Sequence, residues 1–477
     1  MSVLVRIASF IAVFCLPAIT FAQAPVSFTK DVHPILVDRC FKCHGGEEQR
    51  GGLSMVSRET LLEGGEFGPV VVPGNADESV LIELVTSTDK DERMPSQGDP
   101  LSPQDIDILR RWINEGLPWD LEAAMPTNYV ASIEPREVEV PRGRGIHRSN
   151  NPIDKLIEAY FGENDVALPD IVDDRTYLRR AYMDLIGLLP TEAEMEAFLA
   201  DGAKDKREKL VDDLLADRRS YAEHWMTFWN DCLRNDFQGT GYIDGGREQI
   251  TPWLYGALRE NKPYDQFATE LIDPDRRAAG FVKGIVWRGT VSANQMTPLQ
   301  AARGVAQVFL GVNLKCASCH DSFVNSWKLA DSYGLANAFS EEPLELVRCD
   351  VPTGKMAETR FLWPELGAID GTASLKDRRA RVAELVTSPE NGRFARVFAN
   401  RAWAALMGRG IVEPMEDIES PAWSQDLLDW LASDFAQNGY DMRALLARIA
   451  TSKTYQLASD LHEHAEGAAY VFGGPRG

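Results

Sequence analysis

The sequence predicts a mainly α protein, with a small helical domain followed by larger helical ones. Apolar residues recur at three- and four-residue spacing over most of the chain, as in Ile153, Leu156 and Ile157 and again in Leu178, Tyr182 and Leu185. Ser102-Pro103 and Asn151-Pro152 each put a capping side chain ahead of a proline that suits the first helical turn. Between the periodic runs, glycine and proline gather into turns, most densely from Gly45 to Gly74.

In order, a short helix is expected from a Thr29 cap through His33, Ile35, Leu36 and Val37 to Cys40, with Pro34 in its first turn. Glycine-rich loops follow, then a helix near Ser79, and a third from Ser102 with Ile106, Leu109, Trp112 and Ile113 on one face. Residues 121–150 carry prolines, glycines and charges without helical period and read as a linker. A helical domain is expected over 151–340, with Trp225 and Trp229 four apart and a helix from Thr297 and Pro298 to Leu310. An irregular connection is expected over 341–378. Helices resume at 379–385, 394–406, 427–435 and 442–449 in a further domain, 379–477, which ends without a closing element and is expected to be truncated.

Seventy-two acidic residues against 50 basic ones give the 477-residue chain a formal charge of -22. That balance excludes a phosphate-backbone binder, so no nucleic acid is expected as partner. Arg6, the apolar run Ile7 to Ile19 and Ala22-Gln23-Ala24 have the layout of a cleaved signal peptide, residues 1–24. The run is short for a membrane span, so the mature chain is expected to be periplasmic or secreted, without a membrane anchor. Of seven cysteines, Cys15 falls in that leader. Six remain: Cys40, Cys43, Cys232, Cys316, Cys319 and Cys349.

Four of the six form Cys40-Phe41-Lys42-Cys43-His44 and Cys316-Ala317-Ser318-Cys319-His320. Two thiols three residues apart reach the two vinyl groups of one haem, and the histidine that follows lies under the iron as an axial ligand. The first motif is therefore read as a covalent haem c site, ligated by His44. Met94, in a polar loop beside Pro95, is the candidate for the opposite ligand, ahead of Met55. The second motif has the same logic and is expected to hold a second haem through Cys316, Cys319 and His320. His224 is its candidate distal ligand, ahead of His147 and Met356. For the first motif the competing reading is a redox dithiol or half a zinc site, although zinc needs four ligands and only distant cysteines remain. For the second it is a CxxC disulfide or a dithiol with an incidental histidine. Cys232 and Cys349 either pair or stay as two buried thiols. Asp231, Asp236 and Asp244 match no calcium loop.

These residues carry a family resemblance. Phe28 to Trp119, with Asp31-Val32-His33-Pro34-Ile35-Leu36, the first motif, Gly51-Gly52-Leu53, Pro73-Gly74 and Arg93-Met94-Pro95, resembles the planctomycete-type cytochrome c domain. Asn151-Pro152-Ile153-Asp154, Tyr182 to Gly187 and Phe309 to Asp321 look like the uncharacterised helical domain that commonly follows it. Ser388 to Asn391, Asn400 to Trp403 and Gly408-Arg409-Gly410 look like the start of the family's third domain. The resemblance implies haem and electron transfer for the first domain and brings almost no chemistry to the other two. Family members often carry a histidine just before the second tryptophan of the Trp225/Trp229 pair; here Phe228 stands there. Three functions stay open at this level. They are an exported electron carrier with a redox partner, a dihaem redox enzyme, and a haem protein whose helical module binds a partner protein or polysaccharide.

Overall fold

In the computed structural model the chain is described at residues 26–44, 50–55, 58–89, 92–96, 99–119, 131–234, 243–245, 250–275, 277–322, 325–459 and 470–475. The segment 1–24, Asp236 and the start of the expected linker lie outside them. The chain divides into two compact units, Met1–Ala124 and Met125–Gly477. It is mainly α in both.

The first unit opens with a tight π-type turn, Phe28–Val32, which Ser27 rather than Thr29 caps by accepting from Lys30 N–H. It runs into α1 (His33–Arg39), and Cys40 ends that helix by donating its N–H to the Leu36 carbonyl. A single turn, α2 (Phe41–His44), follows. Then come α3 (Arg58–Glu63), α4 (Val80–Thr86) and α5 (Pro103–Asn114). Ser102 and Asp105 close a reciprocal capping box on α5, as its sequence leads one to expect. Leu109, Trp112 and Ile113 of α5 are fully buried. The Phe28 ring stacks on Trp119 at 3.7 Å and lies 5.6 Å from Trp112, so both ends of the unit share one aromatic cluster.

The second unit starts before the helical period does. From Ala131, the expected linker lies against the helices: Gly392 donates its N–H to the Ile133 carbonyl (2.7 Å), and Ala131 is buried. A 3-10 turn at Ile146–Arg148 leads into α6 (Pro152–Glu163), capped by Asn151. It is followed by α7 (Asp174–Ile186), α8 (Glu192–Ala200), α9 (Lys206–Ala216) and α10 (Arg218–Leu233). A short strand β1 (Ile243–Gly245) pairs with β2 (Val286–Trp287) around α11 (Thr251–Arg259), α12 (Tyr264–Ile272) and α13 (Gly280–Lys283). Next is α14 (Thr297–Leu310), whose N-cap is Met296, one residue earlier than Thr297. After α15 (Leu329–Ala336) the expected irregular connection contains a hairpin, β3 (Glu345–Arg348) and β4 (Val351–Met356). The unit closes with α16 (Leu375–Val386), α17 (Gly392–Met407), α18 (Gln425–Gln437) and α19 (Met442–Ala450).

One hydrophobic cluster runs through the second unit from Ile146 to Phe472. Its axis is α17, buried on all sides, which a helix tolerates only if its polar groups find partners. Three arginines do. Arg393 donates from Nε to the Leu310 carbonyl (3.1 Å), Arg401 donates to the Gln307 carbonyl (2.8 Å), and Arg396 pairs with buried Asp429 at 2.5 Å. The first two satisfy the open carbonyls at the end of α14. At the other end, buried Asp154 on α6 accepts from the N–H groups of Lys453 and Thr454, each at 2.8 Å. The regions 151–340 and 379–477 therefore share a single core.

Candidate functional site

The end of α1 and the turn α2 present Cys40, Cys43 and His44 together, because the chain winds once between them. Cys43 and His44 donate their N–H groups to the Cys40 carbonyl at 3.1 and 2.9 Å. All three line a cavity of about 800 Å³, within the range of small-molecule and cofactor sites. Leu53, Met55, Val70, Leu81, Leu84, Val85 and Leu101 make its walls apolar, and Asp38, Arg39, Ser96 and Asp99 add polar groups.

Met94 lines the same cavity. It is held from α4, donating its N–H to the Leu84 carbonyl (3.0 Å), on a segment separate from α2. Met55 also lines it, but its N–H bonds to the His44 carbonyl (2.8 Å), and it is buried in the core. Gly51, Gly65 and Gly68 of the glycine-rich stretch also line the cavity. Gly65 and Gly68 bridge one another through two 3.0 Å hydrogen bonds, and a Cβ on Gly64 would stand 2.3 Å from the Gly68 oxygen. At φ +80°, Gly64 also adopts a backbone that side chains disfavour.

The two thiols are not joined to each other. Burial pushes Cys40 up to about 11, so it is a neutral thiol at physiological pH. The Nδ1 of His44 is shut off from water. An apolar chamber with two adjacent thiols, a neighbouring imidazole and a thioether on a separate segment fits the donor set and solvent exclusion that a covalently held haem requires.

The second motif has different surroundings. Leaving α14, the chain turns at Gly311 (φ +61°), where a Cβ would lie 2.7 Å from Ile418, and enters a 3-10 turn at Cys316–Ser318. Ala317 and Ser318 are fully buried. The imidazole of His320 donates from Nδ1 to the Asp321 carbonyl (2.7 Å), which leaves the lone pair on Nε2 in the neutral ring. Cys319, expected to take a haem vinyl, has a partner which that expectation did not include. Its carbonyl accepts the Cys349 N–H at 3.0 Å, which brings the Cys349 thiol into its electrostatic neighbourhood. Burial first, and then the Cys349 thiol, push the Cys319 thiol well above its usual range.

Of the two readings of Cys232 and Cys349, a pair or two buried thiols, the structure has both as free, half-buried thiols. Cys232 sits on α10, in the field of Arg401, Asp231 and Glu416, and burial raises its pKa. Nor does it join His224 to the second motif. His224 Nε2 lies 3.1 Å from the Asp184 carbonyl, its ring packs edge-on to Trp225, and it fills the space beside Gly187 at the end of α7. Burial lowers its pKa. His147 Nε2 is 2.9 Å from the Pro169 carbonyl, and Met356 is exposed on β4. Trp225, Trp229, Trp253 and Trp327 are core. Among the described residues no group of three or more His, Cys, Asp and Glu is placed to hold a metal ion.

Sequence reasoning missed the Cys319–Cys349 neighbourhood. Its only sequence signal was the cysteine-aspartate dipeptide between two short runs rich in β-branched and other apolar residues, which lacks the usual glycine of a tight hairpin.

Three family models match the chain in order: planctomycete cytochrome C over residues 40–98, a protein of unknown function (DUF1549) over 152–343, and a protein of unknown function (DUF1553) over 378–470. This is the arrangement that the resemblance of the residues implied. No curated protein and no solved structure matches the chain.

Proposed function

Since the chain carries a planctomycete cytochrome C domain followed by DUF1549 and DUF1553 domains, we propose that it is an exported electron-transfer protein. In this reading Cys40 and Cys43 would hold the haem, and His44 and Met94 would ligate its iron. The observation that carries it is the shared apolar cavity, lined by the motif on α1 and α2 and by Met94 on the loop after α4. A haem held there supplies one-electron cycling between ferrous and ferric iron.

The chain's own residues do the rest. The Cys40 and Cys43 thiols fix the group covalently, so it stays bound outside the cell interior. The His44 imidazole is placed by the α2 turn. The Met94 thioether, a soft ligand, favours the reduced iron and raises the potential. The apolar walls would limit water at the iron and would surround the oxidised state with low dielectric, which would work in the same direction. Met94 is preferred over Met55 because it is anchored on α4, away from the backbone of His44.

Export rests on the segment 1–24, and among the described residues no helix is long and apolar enough to cross a membrane. The partner is a periplasmic or surface redox protein. Expression with a c-type maturation system, followed by the pyridine haemochrome assay on the mature chain, tests the proposal. Covalent haem with a methionine-ligation band near the red edge is the expected result; absence of covalent haem overturns it.

A further inference from the structure

The hairpin β3–β4 turns on two residues, Cys349 and Asp350, with φ of 47° and 64°. Two successive positive φ values are the signature of the tight hairpin turn that glycine and asparagine usually occupy. A cysteine and an aspartate there are held against their preference, which points to tertiary restraint. The restraint is visible. Asp350 accepts from the Ser292 hydroxyl (2.9 Å) and the Ala293 N–H (2.7 Å), and Cys349 donates its N–H to the Cys319 carbonyl (3.0 Å). Behind the hairpin, the Tyr333 hydroxyl donates to the Val347 carbonyl at 3.3 Å.

The hairpin tip is thus pinned onto the second motif by a direct backbone hydrogen bond between the two cysteines. Such a bond brings two residues into the neighbourhood that a disulfide can span. The Cys349 thiol is also close enough to the Cys319 thiol to act on it.

We infer that Cys319 and Cys349 form a disulfide in the mature protein, so that the second motif lacks one of the two thiols that covalent haem attachment needs. The inference rests on the proposed export, because an oxidising compartment is where such a bond persists. The oxidant is a disulfide, either of an exported thiol oxidoreductase or of a small molecule. One thiolate of the pair attacks the donor disulfide, forming a mixed disulfide and releasing one donor thiolate. The other thiolate then attacks the pair's own sulfur and releases the second. The pair loses two electrons and two protons, and the donor gains both as a dithiol. Cys316 keeps its thiol.

The test is peptide mapping of the full mature chain, alkylated under denaturing conditions without reduction, as isolated and again after equilibration with excess oxidised glutathione. Cleavage after Lys315, Lys328, Arg348 and Lys355 places Cys316 and Cys319 on one peptide and Cys349 on another. The expected product in both samples is these two peptides joined, two hydrogens lighter than their sum, with fragmentation placing the alkyl label on Cys316. Haem on the 316–328 peptide, a bond to Cys316 in place of Cys319, or full alkylation of Cys349 after glutathione treatment overturns the inference. The mass of the N-terminal peptide separates the two readings. Uncleaved 1–24 with thiols reduced as isolated, but with the 319–349 bond formed in glutathione, overturns export and supports the pair.

Discussion

The two CxxCH motifs share a spacing and differ in almost everything around it. The first lies at the end of a short helix, over a cavity, with its thiols, imidazole and a remote thioether lining one apolar space. The second lies on a turn whose central residues, Ala317 and Ser318, are packed into a core, with the backbone of a third cysteine hydrogen-bonded to that of its second one. Spacing sets which atoms can reach a macrocycle, but the fold decides whether there is room for one. The supports differ as well. The cavity is built by short helices and glycine turns, whereas α14, which delivers the second motif, is held by buried arginines of α17.

Breaking the first motif should have the largest effect. Cys40→Ser with Cys43→Ser should remove all covalent haem, read as loss of the haemochrome signal, while Cys316→Ser with Cys319→Ser leaves the signal at full strength. Met94→Ala comes next. It should retain the haem, abolish the methionine-ligation band and lower the midpoint potential of the single redox wave, as measured by spectroelectrochemistry. Preserved band and potential would move the ligand to Met55.

The second region should break through its arginines. Arg396 loses carboxylate and carbonyl partners together in Arg396→Ala, leaving Asp429 with less compensation in the core. Removing one partner of a buried pair costs roughly 3–5 kcal/mol, to be seen in urea unfolding of the second unit with the haem spectrum unchanged. The smallest effect is conditional. A disulfide closing a loop of about thirty residues stabilises by about 3.6 kcal/mol on loop entropy, so Cys349→Ser should lower the unfolding midpoint of the oxidised protein and leave that of the fully reduced protein nearly unaltered.

Helices were legible from the sequence wherever period, cap and proline agreed. Ser102-Pro103 and Asn151-Pro152 open α5 and α6 where expected. The first motif and Met94 were legible too, because the order of elements in a small domain leaves few ways to bring them together. What escaped is tertiary. The all-round burial of α17 depends on carbonyls of α14 more than eighty residues away, and no local pattern records that. His224 was offered as a distal ligand, yet its surroundings are those of a hydrogen-bonded histidine packed beside Trp225 and Gly187 at the end of α7. Cys349 was set against Cys232, as a pair or as two buried thiols, because a turn at two non-glycine residues gives no hairpin signal. The segment 131–145 looked like a linker because it has no helical period, yet its carbonyls accept from Arg393, Arg396 and the Gly392 N–H of a distant helix.

The contrast between the motifs reduces to a number of haems and a place. Intact mass of the mature chain, with fragmentation to locate each addition, reads both at once. The account predicts one haem per chain, on the peptide containing Cys40, Cys43 and His44. A chain with no haem, or with haem on the peptide containing Cys316 and Cys319, would contradict it.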